Sequence, residues 1–507
     1  MPVTPSYPGI YIEELPSASR TIAAAPTSIA VFVGYTHPFK TRNFNKAVQI
    51  FSFADYQREF GGFYLTDILD TSVPNAVNQF FMNGGGEAYV VGLLAEDYFD
   101  STSPTPGDVG NVAAATAAIG GITFTATEPT DKVPIVVTVA PVAPGNTSAD
   151  VTITYGSQPP ETYRGVNVTA ASPDFFATRM ANSAYVRVSG TPASFSAATE
   201  TQLAADAPAT AVNTFELAHF TSVFQTDSDL DKVPIFNILV LPGITEPTVL
   251  SAALAFAERK QAFVVIDPPR ASTADQGADS VATAFDTYPR SPNGAIYFPY
   301  LKTADPMTGA PIEVAPSGYV AGIYARTDTN RGVWKAPAGL ETTILNTTGV
   351  VDRGRMNDMR QGVLNLRGVN VLRTFPGIGT VVFGARTLVS ANPAFEQWRY
   401  VPVRRMTLFI EQTLYRNLGW AVFEPNDDPL WVSLRVTVEN FMLSLFSRGA
   451  FQGKKPSEAF VVRCDSSTTT QTDINNGIVN IIVGFAPLKP AEFVIIKIAQ
   501  LAGQVQA

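Results

Sequence analysis

Each end of this 507-residue chain carries a short apolar stretch of strand character with no partner nearby in sequence. At the start, Pro2, Pro5, Pro8 and Pro16 surround the apolar centre Gly9-Ile10-Tyr11-Ile12. Proline fixes φ and lacks an N–H, so such a stretch is confined to an extended edge strand. Along it Ile10 and Ile12 face one side, and Tyr11 and Glu13 the other. At the far end EFVIIKIA (492–499) reads as an equally short strand. A lone strand leaves a row of backbone N–H and C=O groups unpaired, and the edge of another chain satisfies them. Spare strands at both termini therefore point to an assembly subunit rather than a solitary enzyme.

The rest of the composition sets bounds on that reading. A chain of 507 residues is too long for one ordinary core, so two to four domains are expected. The hydrophobic share of 46% and charged share of 16% describe a well-buried globular protein with little surface charge for its size. A net charge of −9 argues against a dedicated nucleic-acid binder. The single Cys464 excludes an internal disulfide framework, and its setting in AFVVRC (459–464) predicts a buried strand position. MPVTPSYPGIYIEE lacks the basic start and apolar run of an export leader, and no apolar stretch is long enough to span a bilayer. Cytoplasmic synthesis without membrane insertion is the expectation.

The fold class expected is α+β and multi-domain. SIAVFVGY (28–35) reads as a buried strand, FSFADYQREFGG (51–62) as a short helix closed by Gly61-Gly62, and 74–93 as helix, glycine stop and strand. After about Tyr98 the composition shifts to Ala, Thr, Ser, Pro and Val, with alternating strands such as ITFTAT (122–127), PIVVTVA (134–140) and VTITYG (151–156). Residues 100–214 thus read as a β-rich domain inserted in a surface loop. The α/β pattern resumes with strand 232–244, helix 249–262, strand 263–269 and strand 295–302. The middle α/β domain is therefore expected over 21–99 and 215–338, followed by a domain over 339–507. In that last domain Met406, Phe409, Ile410, Leu414 and Asn417 recur at helical spacing over 404–418. A second helix opens at Asp428-Pro429, runs through Trp431, Leu434, Val438, Met442 and Leu445, and stops near Gly449.

No catalytic constellation survives a search. His37 and His219 are the only histidines, far apart, which leaves neither a histidine base nor a two-histidine metal site. QGKKP (452–456) lacks the glycine spacing and the Ser/Thr of a phosphate loop, and PGIGTVVFG (376–384) misses the dinucleotide spacing. DSDLD (227–231) begins like a calcium loop but has Lys232 and Ile238 where glycine and glutamate belong. No cofactor or metal is expected. Between Arg353 and Arg405 stand nine arginines and no lysine, against Asp358 and Glu396. Arginine alone favours bidentate pairing with carboxylates, either between subunits or within the chain, over diffuse attraction to nucleic acid.

Several blocks in order resemble contractile tail sheath proteins, most closely those of phage-tail-like contractile injection systems. They are YPGIYIEE (7–14), SIAVFVGYT (28–36), NAVNQFFMNGGGEAYVVGL (75–93), APSGYVAGIYARTDTNRGVWKAPAG (315–339), LNLRGVNVLRTFPGIGTVVFGARTL (364–388), WRYVPVRRMTLFIEQTLYRNLGWAVFEPND (398–427) and the closing strands. Only the inserted 100–214 region falls outside the resemblance. It implies a C-terminal domain built from both chain ends, with an N-terminal arm (1–20), a middle α/β domain and an outward-facing insertion. It also implies two donor arms: 6–14, with Tyr7, Ile10, Tyr11 and Ile12, and 491–499, with Phe493, Val494, Ile495, Ile496 and Ile498. The receiving sheet would comprise Phe460, Val461 and Val462 with Ile478, Val479, Ile481 and Ile482. Contact with an inner tube is implied for the C-terminal domain, through helices 404–418 or 429–447 and Arg399, Arg404, Arg405 and Arg416.

The function this implies is structural and not enzymatic. Copies of the chain would polymerise helically around an inner tube, capped by baseplate and terminal proteins and with sheath paralogues as further candidate partners. Contraction would then drive the tube through a target envelope, with the chain part of a phage tail or tail-like particle. A static tail-tube or shell subunit, which would also need arms, is the other reading.

Overall fold

The computed structural model describes residues 21–67, 69–93, 114–195, 197–203, 217–269, 283–351 and 356–497. Tyr7, Ile10, Tyr11 and Ile12 of the first arm, Ile498 of the last, Arg353, Arg355 and the side chain of His219 lie outside the described residues. The chain divides into two compact units, one of residues 1–25, 331–336 and 402–507, the other of residues 26–330 and 337–401.

Runs of β-branched residues without polar alternation predict strands buried on both faces, and the larger unit is built on them. Ala30–Tyr35, Ile238–Val240, Phe263–Ile266 and Gly294–Phe298 are buried at every position. They form the middle of an eight-stranded sheet in the order 379–382, 369–375, 294–298, 263–266, 238–240, 30–35, 88–93, 47–50. From 369–375 to 88–93 every neighbouring pair is parallel, while Gly379–Val382 and Ala47–Ile50 close the two edges antiparallel. The chain first builds outward from Ala30–Tyr35 to one edge, then returns to its other side and steps to the opposite edge, a doubly wound path. Helices Ser72–Met82, Pro247–Arg259 and Asp358–Leu366 pack against strands Ala30–Tyr35, Phe263–Ile266 and Val369–Phe375. The short helix expected in 51–62 spans Phe53–Phe60, with the Ser52 hydroxyl accepting from the Asp55 N–H and Gly61 closing it at φ +83°.

Three boundaries differ from the sequence reading. The C-terminal domain was expected to start at 339, yet residues 337–401 belong to the larger unit. The reason is a long-range pairing: Val369–Phe375 adds in parallel to Gly294–Phe298, and a pairing of that kind leaves no local signal. The run 232–244 supplies only the three-residue strand Ile238–Val240, because turns at Leu230, Lys232 and Val233 occupy its start. The run 295–302 splits at Pro299 into Gly294–Phe298 and Leu301–Ala304, and the latter joins a separate three-stranded sheet with Pro311–Val314 and Gly349–Val350.

One helix, Ser317–Arg331, is not anticipated from sequence at all. Its first nine residues are all buried, so no polar face marks a helical period. Gly318 and Gly322, one turn apart, let it approach the helix Ser72–Met82. A Cβ on Gly318 would stand 2.4 Å from the Ala76 carbonyl oxygen, and one on Gly322 2.7 Å from that of Phe80. Further along, the Tyr297 and Tyr324 hydroxyls share a hydrogen bond of 2.5 Å beneath this helix.

The inserted region forms two antiparallel sheets. One holds four strands in the order 199–203, 135–141, 148–155, 161–167, the other three in the order 116–119, 122–126, 186–190. Ile122–Ala126 alternates buried and half-buried positions, and its Phe124 joins Val137, Val151, Ile153 and Phe176 in a core of the region's own. Buried polar contacts fix this region to the α/β layer. His37, fully buried after the first strand, accepts the Phe39 N–H at Nδ1 (3.1 Å), so its Nε2 carries the proton and donates to Glu128 Oε2 (2.9 Å). Lys40 Nζ donates to the other Glu128 oxygen. Nearby, Asp131 Oδ2 accepts from the Thr66 hydroxyl and the Asp67 N–H. Burial holds His37 below the usual histidine range and keeps it neutral. Burial would push Glu128 up, but His37 and Lys40 outweigh it and hold the carboxyl below its usual range.

Gly318→Ala should cost about 1–3 kcal/mol through overpacking. Gly362→Ala, in a helix where nothing lies within 4 Å of the new Cβ, should be neutral or stabilising by up to about 1 kcal/mol. Urea midpoints of the two variants decide the matter. For the seam, a depressed carboxyl contributes stability above its unfolded pKa that is lost as pH falls through the folded value. Glu128→Gln should therefore lower the melting temperature at pH 7, and its difference from the parent should shrink below about pH 4. A constant difference across that range would refute the assignment.

Candidate functional site

In the smaller unit the two expected helices form as Val401–Asn417 and Asp428–Ser447. Met406, Phe409 and Ile410 of the first meet Val438, Phe441, Met442 and Leu445 of the second in one apolar cluster that also takes in Phe451 and Val462. The second helix is capped one residue earlier than expected. The Asp427 carboxylate accepts the Leu430 N–H, which places Asp428 and Pro429 inside the first turn. Cys464 is buried with Leu430, Trp431 and Leu434, and burial pushes its thiol up, away from reactivity. Chain from the N-terminal side docks here too. The Ala23 N–H donates to Asn417 Oδ1 (3.0 Å), Asn417 Nδ2 donates back to the Ala23 carbonyl (2.9 Å), and the Ala25 N–H donates to the Thr413 hydroxyl (3.1 Å). The C-terminal domain is thus assembled from both sides of the sequence.

Beside these helices Phe460–Arg463 pairs antiparallel with Ile482–Phe485, setting Phe460 opposite Phe485 and Val462 opposite Val483. Among the described residues this sheet has two strands only. A two-stranded ribbon is marginal in water, and each strand keeps an outer edge of unpaired backbone groups. Val461 and Ile482 are exposed on it. Of the residues expected in the second strand only Ile482 lies in it, and Ile478, Val479 and Ile481 precede it. They are held instead by a local turn. Gly477 closes the helix Gln471–Asn475 at φ +70°, the Ile478 N–H donates to the Asp473 carbonyl, and Asn480 is bonded on both sides by Thr468 and Thr469. Val479 and Ile481 then pack under Trp431 and Leu434.

Among the described residues the remaining segment, 491–497, enters no strand. Phe493, Val494, Ile495 and Ile496 are each between 73% and 82% exposed. Four consecutive large apolar side chains in water are an uncovered contact surface rather than a scattering of single exposed residues.

Comparison with known proteins bears on this arrangement directly. Residues 231–388 match the phage tail sheath protein central domain, and residues 394–500 the phage tail sheath C-terminal domain, together more than half of the chain. The chain belongs to the phage tail sheath family. A prophage major tail sheath protein of Pseudomonas aeruginosa (strain UCBPP-PA14) is 26% identical over 273 residues, which are 52% of this chain and 65% of that relative. The cryo-EM structure of the anti-feeding prophage helical sheath in its contracted state is 25% identical with a TM-score of 0.59, covering 98% of this chain and 100% of that one. The contracted PVC sheath complex of an extracellular contractile injection system is likewise 25% identical, TM-score 0.58, covering 98% of both chains. The two matched domains meet between 388 and 394, close to the division between the compact units and far from 339.

The four arginines expected as tube contacts differ in exposure. Arg405 is only 3% exposed and is a structural residue of the chain, a correction to its reading as a surface contact. Arg399 belongs to the larger unit and lies 3.7 Å from Glu396, Arg404 is half-buried, and Arg416 alone of the four is exposed. The wider arginine segment is largely paired within the chain. Arg367 bonds Asp286 at 2.5 Å, Arg373 bonds Asp358 at 2.7 Å, and Arg386 donates to the Asn365 carbonyl at 2.8 Å. For these residues, of the two pairings expected, the one within the chain forms.

At the carboxyl ends of the parallel strands, where doubly wound folds often hold ligands, a buried carboxylate is bonded within the chain. Asp267 follows Phe263–Ile266 and is fully buried, accepting the Ser317 N–H (2.8 Å), the Ser317 hydroxyl (2.6 Å) and the Gly243 N–H (2.9 Å). Burial pushes its carboxyl up to about 6 against those donors. Ser317 gives this carboxylate both donors from the start of a buried helix and is itself fully buried. Among the described residues no group of three or more His, Cys, Asp or Glu side chains is placed to hold a metal.

Proposed function

We propose that this chain is the structural subunit of a contractile sheath. Copies polymerise helically around an inner tube and contract to drive that tube through a target envelope, as part of a phage tail or tail-like particle with baseplate and terminal proteins at its ends. The observation that carries the reading is the exposed run Phe493–Ile496 in a chain whose own ribbon, 460–463 with 482–485, keeps open edges. Donor arms 491–499 and 6–14 add strands to the ribbons of neighbouring copies. Likeness to two sheaths solved in the contracted state supports contraction over a static tube or shell.

Magnitudes explain why such a joint suits a moving lattice. Burying each large apolar side chain is worth roughly 1.5–3 kcal/mol, and each added backbone hydrogen bond about 0.5–1.5 kcal/mol. Ordering the arm costs about 1–2 kcal/mol per residue, so one arm alone binds weakly. Repetition around rings and along the helix turns weak joints into a continuous mesh. Extended arms also tolerate rigid-body rotation of the subunits they link. The work in this mechanism is mechanical and needs no catalytic site.

The chain should be produced with its inner-tube protein and inspected by negative-stain electron microscopy, intact and lacking residues 491–507. Long cylinders that disappear with the arm, while the truncated chain keeps its melting temperature, are expected. Ile495→Lys should weaken assembly in the same direction. Cylinders that persist unchanged without the arm would refute strand lending at this end.

A further inference from the structure

The two long helices of the smaller unit are joined by an apex that no described residue covers. Phe423 is fully exposed, and its neighbour Val422 and Tyr415 near the end of the first helix are exposed as well. Phe423 sits at φ +70°, a left-handed conformation that bulky residues rarely adopt. The loop is anchored on both flanks. The Ala421 N–H donates to the Leu418 carbonyl, while Asn426 is clamped between the Trp431 indole N–H (2.8 Å) and the Ile478 carbonyl (3.0 Å). The aromatic ring is therefore held outward by an ordered support. Glu424, Asp427 and Asp428 stand exposed around it. Capping of the second helix accounts for the two aspartates, but it does not account for Glu424 or for the exposed ring.

At the other end of that helix lies a feature of opposite sign. Beyond Ser447 the chain turns through Gly453 and presents Lys454 and Lys455, both exposed, from the motif that fails as a phosphate loop. The adjacent Glu458 carboxylate accepts the backbone N–H of Lys454 (2.9 Å), and among the described residues neither ammonium group has a carboxylate within ion-pair distance. The helix Asp428–Ser447 has 20 residues and spans about 30 Å. That strut keeps the acidic aromatic apex and the lysine turn of one chain from reaching each other, whereas two copies placed head to tail bring them together.

We propose that Phe423 is an anchor by which one copy of this chain seats on the Lys454–Lys455 turn of a second copy. The ring takes cation–π contact with the lysines while Glu424 pairs with one of them. The contact joins different surfaces of identical chains and does not close on itself, so it propagates a helix. It rests on the sheath reading but is separate from the strand-lending arms.

The test uses the full chain with its inner-tube protein and reads the concentration at which sedimenting polymer forms. Phe423→Gly suits the left-handed backbone and should melt no lower than the parent, yet it should raise that concentration about ten-fold or more. Glu424→Lys should raise it too, and adding Lys454→Glu and Lys455→Glu to Glu424→Lys should restore assembly. Phe423→Gly polymerising at the parent's concentration, or a charge exchange without recovery, would overturn the proposal. Loss of the arm 491–507 without effect would instead strike at strand lending, so the two failures are distinguishable.

Discussion

Every peptide group withdrawn from water needs a hydrogen-bond partner, and this chain meets that demand in two contrasting ways. In the larger unit eight strands satisfy one another, and antiparallel edge strands close both sides of a parallel interior. In the smaller unit a two-stranded ribbon stops short, with backbone edges open and an apolar segment outside. Completeness in one unit and incompleteness in the other fit a solid body carrying a joint. Rigid-body movement of linked subunits needs both properties.

In the larger unit the polar groups at the strand ends bond to one another. Asp267 lies there, and that carboxylate is spent on Ser317 and Gly243. Two glycines of this unit serve close packing. Gly318 and Gly322 bring one buried helix against the backbone of another. The insertion is tied down in a similar spirit, since the neutral His37 and the Lys40–Glu128 pair bind it to the α/β layer through buried polar contacts. These are devices for stiffness, which suits a subunit that transmits force.

Much of the core was legible because its signals are local. Uniformly apolar runs mark Ala30–Tyr35 and Phe263–Ile266, helical spacing marks 401–417 and 428–447, and alternation marks the inserted strands. The helix Ser317–Arg331 was not legible, since burial all round erases the amphipathic period. Nor was the domain boundary, because the strand Val369–Phe375 finds its partner some seventy residues earlier, at Gly294–Phe298. The arginine segment misled for a related reason. Composition records nine positive charges, but Asp286, the partner of Arg367, lies far outside the window counted.

What the sequence by itself determined was the kind of protein this is. Apolar arms without local partners, the missing catalytic pairs and the ordered sheath-like blocks all reside in the linear order of residues. Tertiary structure alone decided which residues are available. It buried Arg405, kept Arg416 and Ile478 exposed, folded Val479 and Ile481 beneath Trp431, and left Phe493–Ile496 and Phe423 in water. Exposure depends on what the rest of the chain places over a side chain, and that covering comes from contacts distant in sequence.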